Sequence, residues 1–433
     1  MNFLLDKILF YIILLLPLGL IIGPAISDII ISSAGLIFLF TAFNKRLFEY
    51  FTKKYFIFFL LICFYLIFTS LISENKLLSL ESSLFYFRFG VFVIAVLYLI
   101  RTNEKFIKFF FIILFFSTLV VAIDGIYQFI NGVNFLNFLS SNEFYTTGRI
   151  SGVFGEEHIL GSYIVRLLPL SVGIFLFLNK NNIINNFILS IYLLIISLSI
   201  FITGERTATL MLIIFFILTL LLVKNLRFIF FITSIFFISI SLLILTLNKE
   251  LKHRMIDYTF KGFFVVETDN SKKIDLKKIN LFSVQHEVVY ITSLKIFKDN
   301  IFFGIGPKMY RQICKKEKYK TFSIHDRSID GCQTHPHNTY VQILTETGII
   351  GFIVLLIIFF NLSYRIVFRI IYSYNFKLDR LRFLEIFSLI NIFINFWPLM
   401  PTGNFFNNWI SIIYFLPIGF YIYSLDEKKI INK

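Results

Sequence analysis

Charge and cysteine are both scarce in this chain. Only 15% of its 433 residues are charged, against 57% hydrophobic, and there are three cysteines. That balance, with 59 Phe, excludes a soluble globular domain, which has no use for so much apolar surface. No small-residue cleavage site follows the first apolar run, so that run reads as a retained span and not as a signal peptide. No cluster of His, Cys or carboxylates has a familiar metal-ligand spacing, so no metal is expected. The net charge of +15 would suggest nucleic acid in a soluble protein. Here loop lysines and arginines account for it, and no nucleic-acid partner is expected.

What is present is a series of apolar runs of about 17–22 residues, the length that crosses a ~30 Å hydrocarbon core as helix. They predict an all-α polytopic membrane protein with about twelve transmembrane helices. The spans fall at 7–23, 26–43, 55–72, 83–100, 106–129, 158–178, 185–202, 206–223, 226–247, 338–361, 383–397 and 408–424. Three regions follow: transmembrane helices 1–9 in 1–247, a long loop with short helices in 248–337, and helices 10–12 in 338–433.

Loop charges set the orientation. One set of loops carries Lys45, Arg46, Lys53, Lys54, Arg101, Lys105, Lys108, Lys180, Lys224, Arg227, Arg365, Arg369, Lys377, Arg380 and Arg382. The opposite short loops carry only Lys76, Arg149 and Arg206. Both termini are therefore expected in the cytoplasm, and the long loop outside, since long loops translocate largely regardless of charge. Arg149, Arg206 and His337 then share the external face. Arg88, Asp124 and Arg166 lie roughly 7–14 Å below that face, counting 1.5 Å per residue. Charges at such depth face a cavity or a partner, or snorkel to the headgroups.

The external loop opens on a polar, Lys-rich part from Lys249 to Lys278. From His286 to Lys298, Val288, Val289, Ile291, Leu294, Ile296 and Phe297 space out as an amphipathic helix. It lies on the outer leaflet, caps a cavity, or packs on the spans. Gly304-Ile305-Gly306-Pro307 is a turn, with a phosphate cradle as the weaker reading. Cys63 lies within a span. Cys314 and Cys332, 18 residues apart in an oxidising compartment, are expected to form a disulfide. His325, His335 and His337 lie near them, but in no familiar zinc spacing.

The chemistry concentrates around His337-Asn338, nine residues, then Gly348-x-x-Gly351, where the loop meets a span. A histidine there can take a proton from an attacking hydroxyl; the alternatives are helix capping or loop packing, and His335 is close enough to compete for the role. Arg206, after Gly204-Glu205, can grip a phosphate bidentately, or simply pair with Glu205 or mark topology. Arg149 opens the turn Arg149-Ile150-Ser151-Gly152, with Glu156, Glu157 and His158 beyond it. Arginines at the outer leaflet suit a lipid-linked pyrophosphate, whose charge grows as its bond to the sugar breaks.

These stretches resemble the O-antigen ligase and O-antigen polymerase superfamily of bacterial envelope glycosyltransferases. The resemblance rests on HPHNTYVQILTETGIIG, RISGVFGEEHILGSY from Arg149, TGERTATLML from Thr203, and KDNIFFGIGPKMYR, and covers about 120–360. It implies an inverting, metal-independent transfer from an undecaprenyl-pyrophosphate-linked glycan to an acceptor hydroxyl such as lipid A core, at the outer face of the inner membrane, with no cofactor. By the same resemblance His337 matches the essential histidine, Arg206 the essential arginine and Arg149 a further one. Arg88, Arg166, Glu205 and Asn338 join Arg149 as candidate substrate-binding residues. The Gly-Glu-Glu-His run at 155–158 departs from the neutral residues many members carry there. Ligase and polymerase are not separated by these motifs. A transporter or flippase is the competing class. Against it, no internal repeat is visible and the charges gather at one face instead of the midplane.

Overall fold

The computed structural model describes residues 2–135, 148–180, 182–260, 265–268, 271–274, 282–323, 329–372 and 379–431. Lys278, His325 and Lys377 lie outside the described residues. The helices are α1 (Asn2–Leu14), α2 (Leu16–Ile22), α3 (Pro24–Lys45), α4 (Lys54–Leu71), α5 (Lys76–Ser83) and α6 (Phe87–Thr102). There follow α7 (Glu104–Asn131), α8 (Leu160–Leu178), α9 (Ile183–Ile202), α10 (Arg206–Leu222) and α11 (Arg227–Leu247). Then come α12 (Lys249–Lys252), α13 (Val284–Asp299), α14 (Tyr310–Ile313), α15 (Thr339–Tyr372), α16 (Arg380–Asn395) and α17 (Asn408–Ile431). One antiparallel hairpin, β1 (Val265–Thr268) with β2 (Ser271–Ile274), pairs Val265 with Ile274 and Thr268 with Ser271.

The all-helical polytopic character expected from the apolar runs is present. Among the described residues nine helices are long and apolar enough to cross a membrane, or ten if the bent pair α1–α2 counts as one span. The expected count of twelve is therefore not reached by this measure. The other two expected segments are helical but short: α10 has 17 residues and α16 has 16. α16 is almost wholly buried among its neighbours, whereas α10 turns Leu210, Ile213, Ile217 and Leu221 outward. The α1–α2 break, a 45° bend, falls where Pro17 starts a new helix.

The core centres on α8, whose residues from Leu160 to Leu176 are almost all buried, and on α16 beside it. Gly173 lets them approach: a Cβ there would stand 2.6 Å from Cβ of Phe387. Outer helices turn apolar side chains away from the bundle, as α11 does with Phe228, Phe231, Leu243 and Leu247, which suits hydrocarbon and not water. Asparagines start several helices: Asn103, Asn182 and Asn248 each accept a backbone N–H of the first turn.

Polar contacts tie the two ends of the bundle separately. At one end Lys45 donates to Asp6 and to Tyr98, and Arg101 pairs with Asp426 at 2.6 Å. At the other end lie the turns at 148–158 and 203–205 and the segment 248–337. Part of that segment has a small core of its own, made by Val289, Tyr290, Ile296, Ile305, Met309, Tyr310 and Ile313. So α13 buries one face in protein, while Ile291 and Leu294 stay exposed. Cys314 and Cys332 are joined in a disulfide across this core.

Candidate active site

A cavity of about 1340 Å³ opens at that second end. The wall carries Arg149, Arg166, Glu205, Arg206 and His337, brought together from four separate parts of the chain. It also carries Arg254, His286, Arg311 and His335.

The arginine wall is built on the turn between α9 and α10. Gly204 has φ 68°, and a Cβ on it would stand 2.4 Å from the carbonyl oxygen of Gly148, so only glycine fits. Ile150 N–H donates to the Thr203 carbonyl at 3.2 Å, which lays the 148–150 strand against this turn. Arg254, on the helical turn after α11, donates from Nε to the Gly204 carbonyl at 2.8 Å. Arg206 donates to Thr259 Oγ1 at 3.4 Å and covers the Tyr258 ring at 5.0 Å. Arg149 Nε is buried with no hydrogen-bond partner.

Three guanidinium groups thus crowd one wall. Burial, then the charges of Arg149 and Arg206, pull Arg254 down to about 10. Burial lowers Arg149 as well, against the attraction of Glu205. Glu205 does not neutralise the group by direct pairing. Its Oε1 accepts from Gly161 N–H at 2.7 Å, and its Oε2 from Ser162 N–H at 3.2 Å and Ser162 Oγ at 2.7 Å. It caps the start of α8, and burial holds its carboxyl above the usual range.

The histidine wall is set by the start of α15. His337 has a left-handed backbone, φ 55°, which is uncommon outside glycine, although Asn, Asp and His adopt it more often than other residues. A loop clamps it there: Thr402 N–H donates to the His337 carbonyl at 2.8 Å. Asn338 Nδ2 donates to the carbonyls of Pro398 at 2.8 Å and Met400 at 3.2 Å. Asn338 Oδ1 accepts from the N–H groups of Tyr340 and Val341, capping α15. The His335 and His337 ring centres are 4.1 Å apart, and the His286 ring lies 6.0 Å from that of His337. Burial lowers His337, and takes His286 and His335 down to about 4, helped in both by the neighbouring His337. The imidazoles are neutral at pH 7. Among the described residues no group of three or more His, Cys, Asp or Glu is placed to hold a metal ion.

The rest of the motif shapes the helix. At Gly348, φ 67°, α15 kinks, and the strand Ile301–Gly306 packs into the kink. Ile305 and Gly306 N–H donate to the Thr345 and Glu346 carbonyls, and Ile349 N–H donates to Ile301. Tyr65 OH takes the Thr347 carbonyl at 2.6 Å. The carbonyls released by the kink are thereby satisfied.

Two candidate residues stand apart from the cavity wall. Arg88 pairs with Asp28 at 2.8 Å and donates to Asn408 Oδ1 at 2.8 Å, which ties α6 to α3 and α17. Asn338 is turned to the 398–400 carbonyls described above. Arg166, buried deep in α8, lines the cavity, and its Nη1 donates to Asn395 Oδ1 at 2.6 Å. Reasoning from sequence missed Arg254, His286 and Arg311. Arg254 sits in a stretch read only as Lys-rich loop. His286 was taken as the start of an amphipathic helix. Arg311 closes the KDNIFFGIGPKMYR stretch without a role.

Fold and site together define a polytopic helical protein with a cationic, histidine-bearing cavity at one end of its bundle. Residues 191–356, less than half of the chain, match the family model described as O-Antigen ligase. The match spans Arg206, Arg254, His286, Arg311, His335 and His337, and leaves Arg149 and Arg166 outside. The match supports an enzyme of the O-antigen ligase or polymerase type. Comparison with curated proteins returns no match.

Proposed function

We propose that the protein transfers a glycan from undecaprenyl pyrophosphate to an acceptor hydroxyl, lipid A core being the favoured acceptor, at the periplasmic face of the inner membrane. The observation that carries this reading is one cavity holding a cluster of arginines on one wall and a neutral histidine on another. Arg149, Arg206 and Arg254 bind the pyrophosphate. His337 is the base. The acceptor oxygen attacks the anomeric carbon, its proton passes to His337, and the bond from that carbon to the pyrophosphate oxygen breaks. The leaving pyrophosphate gains charge as it departs, and the guanidinium groups stabilise that gain more than they stabilise the bound donor. Attack opposite the leaving group inverts the anomeric centre. No metal is invoked, because the arginines supply the positive charge. Arg166 lies deeper along the same cavity and suits the lipid-proximal phosphate.

The topology that goes with this reading places both termini in the cytoplasm, with 1–247 and 338–433 spanning the membrane and 248–337 outside. The separation of the Lys45 and Arg101 contacts from the cavity end supports it.

The test is complementation of a deletion strain, with surface glycans profiled on gels beside the extracted lipid-linked pool. Loss of surface chains with long glycans stranded on the carrier means ligase. Surface core bearing a single repeat means polymerase. His337→Ala is expected to lower transfer by roughly 10²-fold or more, with the protein still in the membrane. Arg206→Lys is expected to fail as well, because an ammonium is not a bidentate fork. Normal profiles from both variants sink the proposal.

A further inference from the structure

The cavity extends past the histidines to a second cationic site that the transfer reaction as proposed does not use. Arg311 is carried by α14 and reaches the cavity wall, where its Nε is buried without a hydrogen-bond partner. His335 Nε2 beside it is likewise buried and unpartnered. The helix that carries Arg311 is joined to the segment ahead of His335 by the Tyr310–Gly331 hydrogen bond and the Cys314–Cys332 disulfide, and the His335 ring lies 4.1 Å from that of His337. Arg311 thus belongs with the histidines, while Arg206, over the Tyr258 ring, belongs to the arginine wall.

The site is held rigidly. Tyr310, the residue before Arg311, donates from its hydroxyl to the Gly331 carbonyl at 2.6 Å and from its N–H to Glu346 Oε1 at 3.2 Å. The disulfide of Cys314 joins the same short helix to Cys332, three residues ahead of His335. Two carboxylates stand near. Asp330 lines the cavity and accepts from Cys332 N–H, and Glu346 is engaged by Gln342 and Tyr310. Among the described residues Arg311 makes no ion pair within 4 Å with either, though its charge is felt at Glu346.

We propose that Arg311, with His335, forms a subsite for an anionic group, phosphate or carboxylate, on the acceptor saccharide. It rests on the reading of Arg206 and His337 given above. In an inverting displacement the attacking oxygen and the leaving group lie on opposite faces of the anomeric carbon. The base must be on the attacking side, so the histidine wall, to which Arg311 belongs, meets the acceptor. A guanidinium with an open donor matches the paired oxygens of phosphate or carboxylate. The neutral His335 adds a further polar edge without competing for the anion's charge.

The test is binding to the purified full-length protein in detergent, which does not depend on turnover. Probes are a phosphorylated core oligosaccharide and its phosphatase-treated form, a uronate-bearing oligosaccharide and its carboxyl-reduced form, and inorganic pyrophosphate for the donor side. Arg311→Gln is expected to weaken a charged acceptor about tenfold or more, with its neutral form and pyrophosphate unchanged within about twofold. The two charged forms tell phosphate from carboxylate. Arg311→Lys is expected to recover part of the loss, and retention of the Cys314–Cys332 disulfide checks that the variants are folded. Equal wild-type affinity for charged and neutral forms, or no effect of Arg311→Gln on the charged ones, overturns the subsite. So does a loss of pyrophosphate binding in Arg311→Gln, which would move Arg311 to the donor side. Arg206→Gln is the separate control. If it leaves pyrophosphate binding intact, the donor assignment fails, and the acceptor result is read on its own.

Discussion

His337 holds a backbone conformation that costs about 1–3 kcal/mol for a side chain of its kind. The clamp from Thr402 and Asn338 maintains it and aims the ring into the cavity beside His335. Asn is the non-glycine residue most at ease in that region, so the position tolerates backbone strain in order to present an imidazole. Burial lowers the affinity of this imidazole for protons. The consequence for activity has a definite sign. The neutral base persists below the ordinary histidine pKa of about 6.5, so transfer should stay flat from neutrality down past that value and fall only in more acid solution. A pH–rate profile at saturating donor checks this, and an acid limb centred at or above the ordinary value would contradict it. Stability moves the same way. Unfolded His286 and His335 take protons near 6.5 while the folded rings wait until about 4, so acidification across that window favours unfolding. Sequence alone pointed to His337 and Arg206 because their residue types and short-turn contexts fit the chemistry. It was silent on Arg254 and Arg311, which acquire their place only when the chain packs.

At the scale of elements, α15 shows why the spacing of the motif matters. Asn338 starts the helix and Gly348 kinks it after nine intervening residues, so a short helical segment stands between cap and kink. The strand Ile301–Gly306 fills the kink, with Gly304 lying against Glu346 and Gly348. A Cβ at Gly348 would stand 2.3 Å from the Phe302 carbonyl oxygen, at a φ that side chains avoid. Gly348→Ala is therefore expected to cost more than about 1–3 kcal/mol and to reduce the folded yield in the membrane. Fluorescence-detected size exclusion of the tagged variant measures that, and wild-type yield and melting would refute it. The glycines were legible as a motif, but their partner strand was not. Periodicity sees one apolar helix across the kink, and nothing local tells that residues forty positions upstream will dock there. Arg88 is a similar case: its depth was read from the span, yet its partners Asp28 and Asn408 come from distant helices.

For the whole molecule, composition was enough to give a polytopic helical bundle, since burial in hydrocarbon needs only long apolar runs. It was less able to count spans. α16 is shielded by other helices and so is shorter than a bilayer-facing helix has to be, and α10, though apolar and partly exposed, has only 17 residues. The region 248–337 was read as loop with short helices; it also has the β1–β2 hairpin and a packed core closed by Cys314–Cys332. Closing 18 residues should contribute about 3 kcal/mol in the chain-entropy model. Cys332→Ser and treatment of the wild type with reductant should lower the unfolding temperature by similar amounts, read by thermal denaturation in detergent. An unchanged midpoint in both would show that the hydrophobic contacts of this small core suffice without the bond.

The bent pair α1–α2 has a bearing on the order in which the molecule is made. Leu20 and Ile22 form part of the cavity wall, yet the carbonyls of Pro17 and Leu20 are taken by Tyr163 OH and Trp409 Nε1. The bent pair thus acquires one of its anchors only after α17, with Trp409 lying 389 residues beyond Leu20, has been made. Until α17 is in place this wall lacks the Trp409 contact, so a chain stopped short of Trp409 leaves the cavity without this fastening.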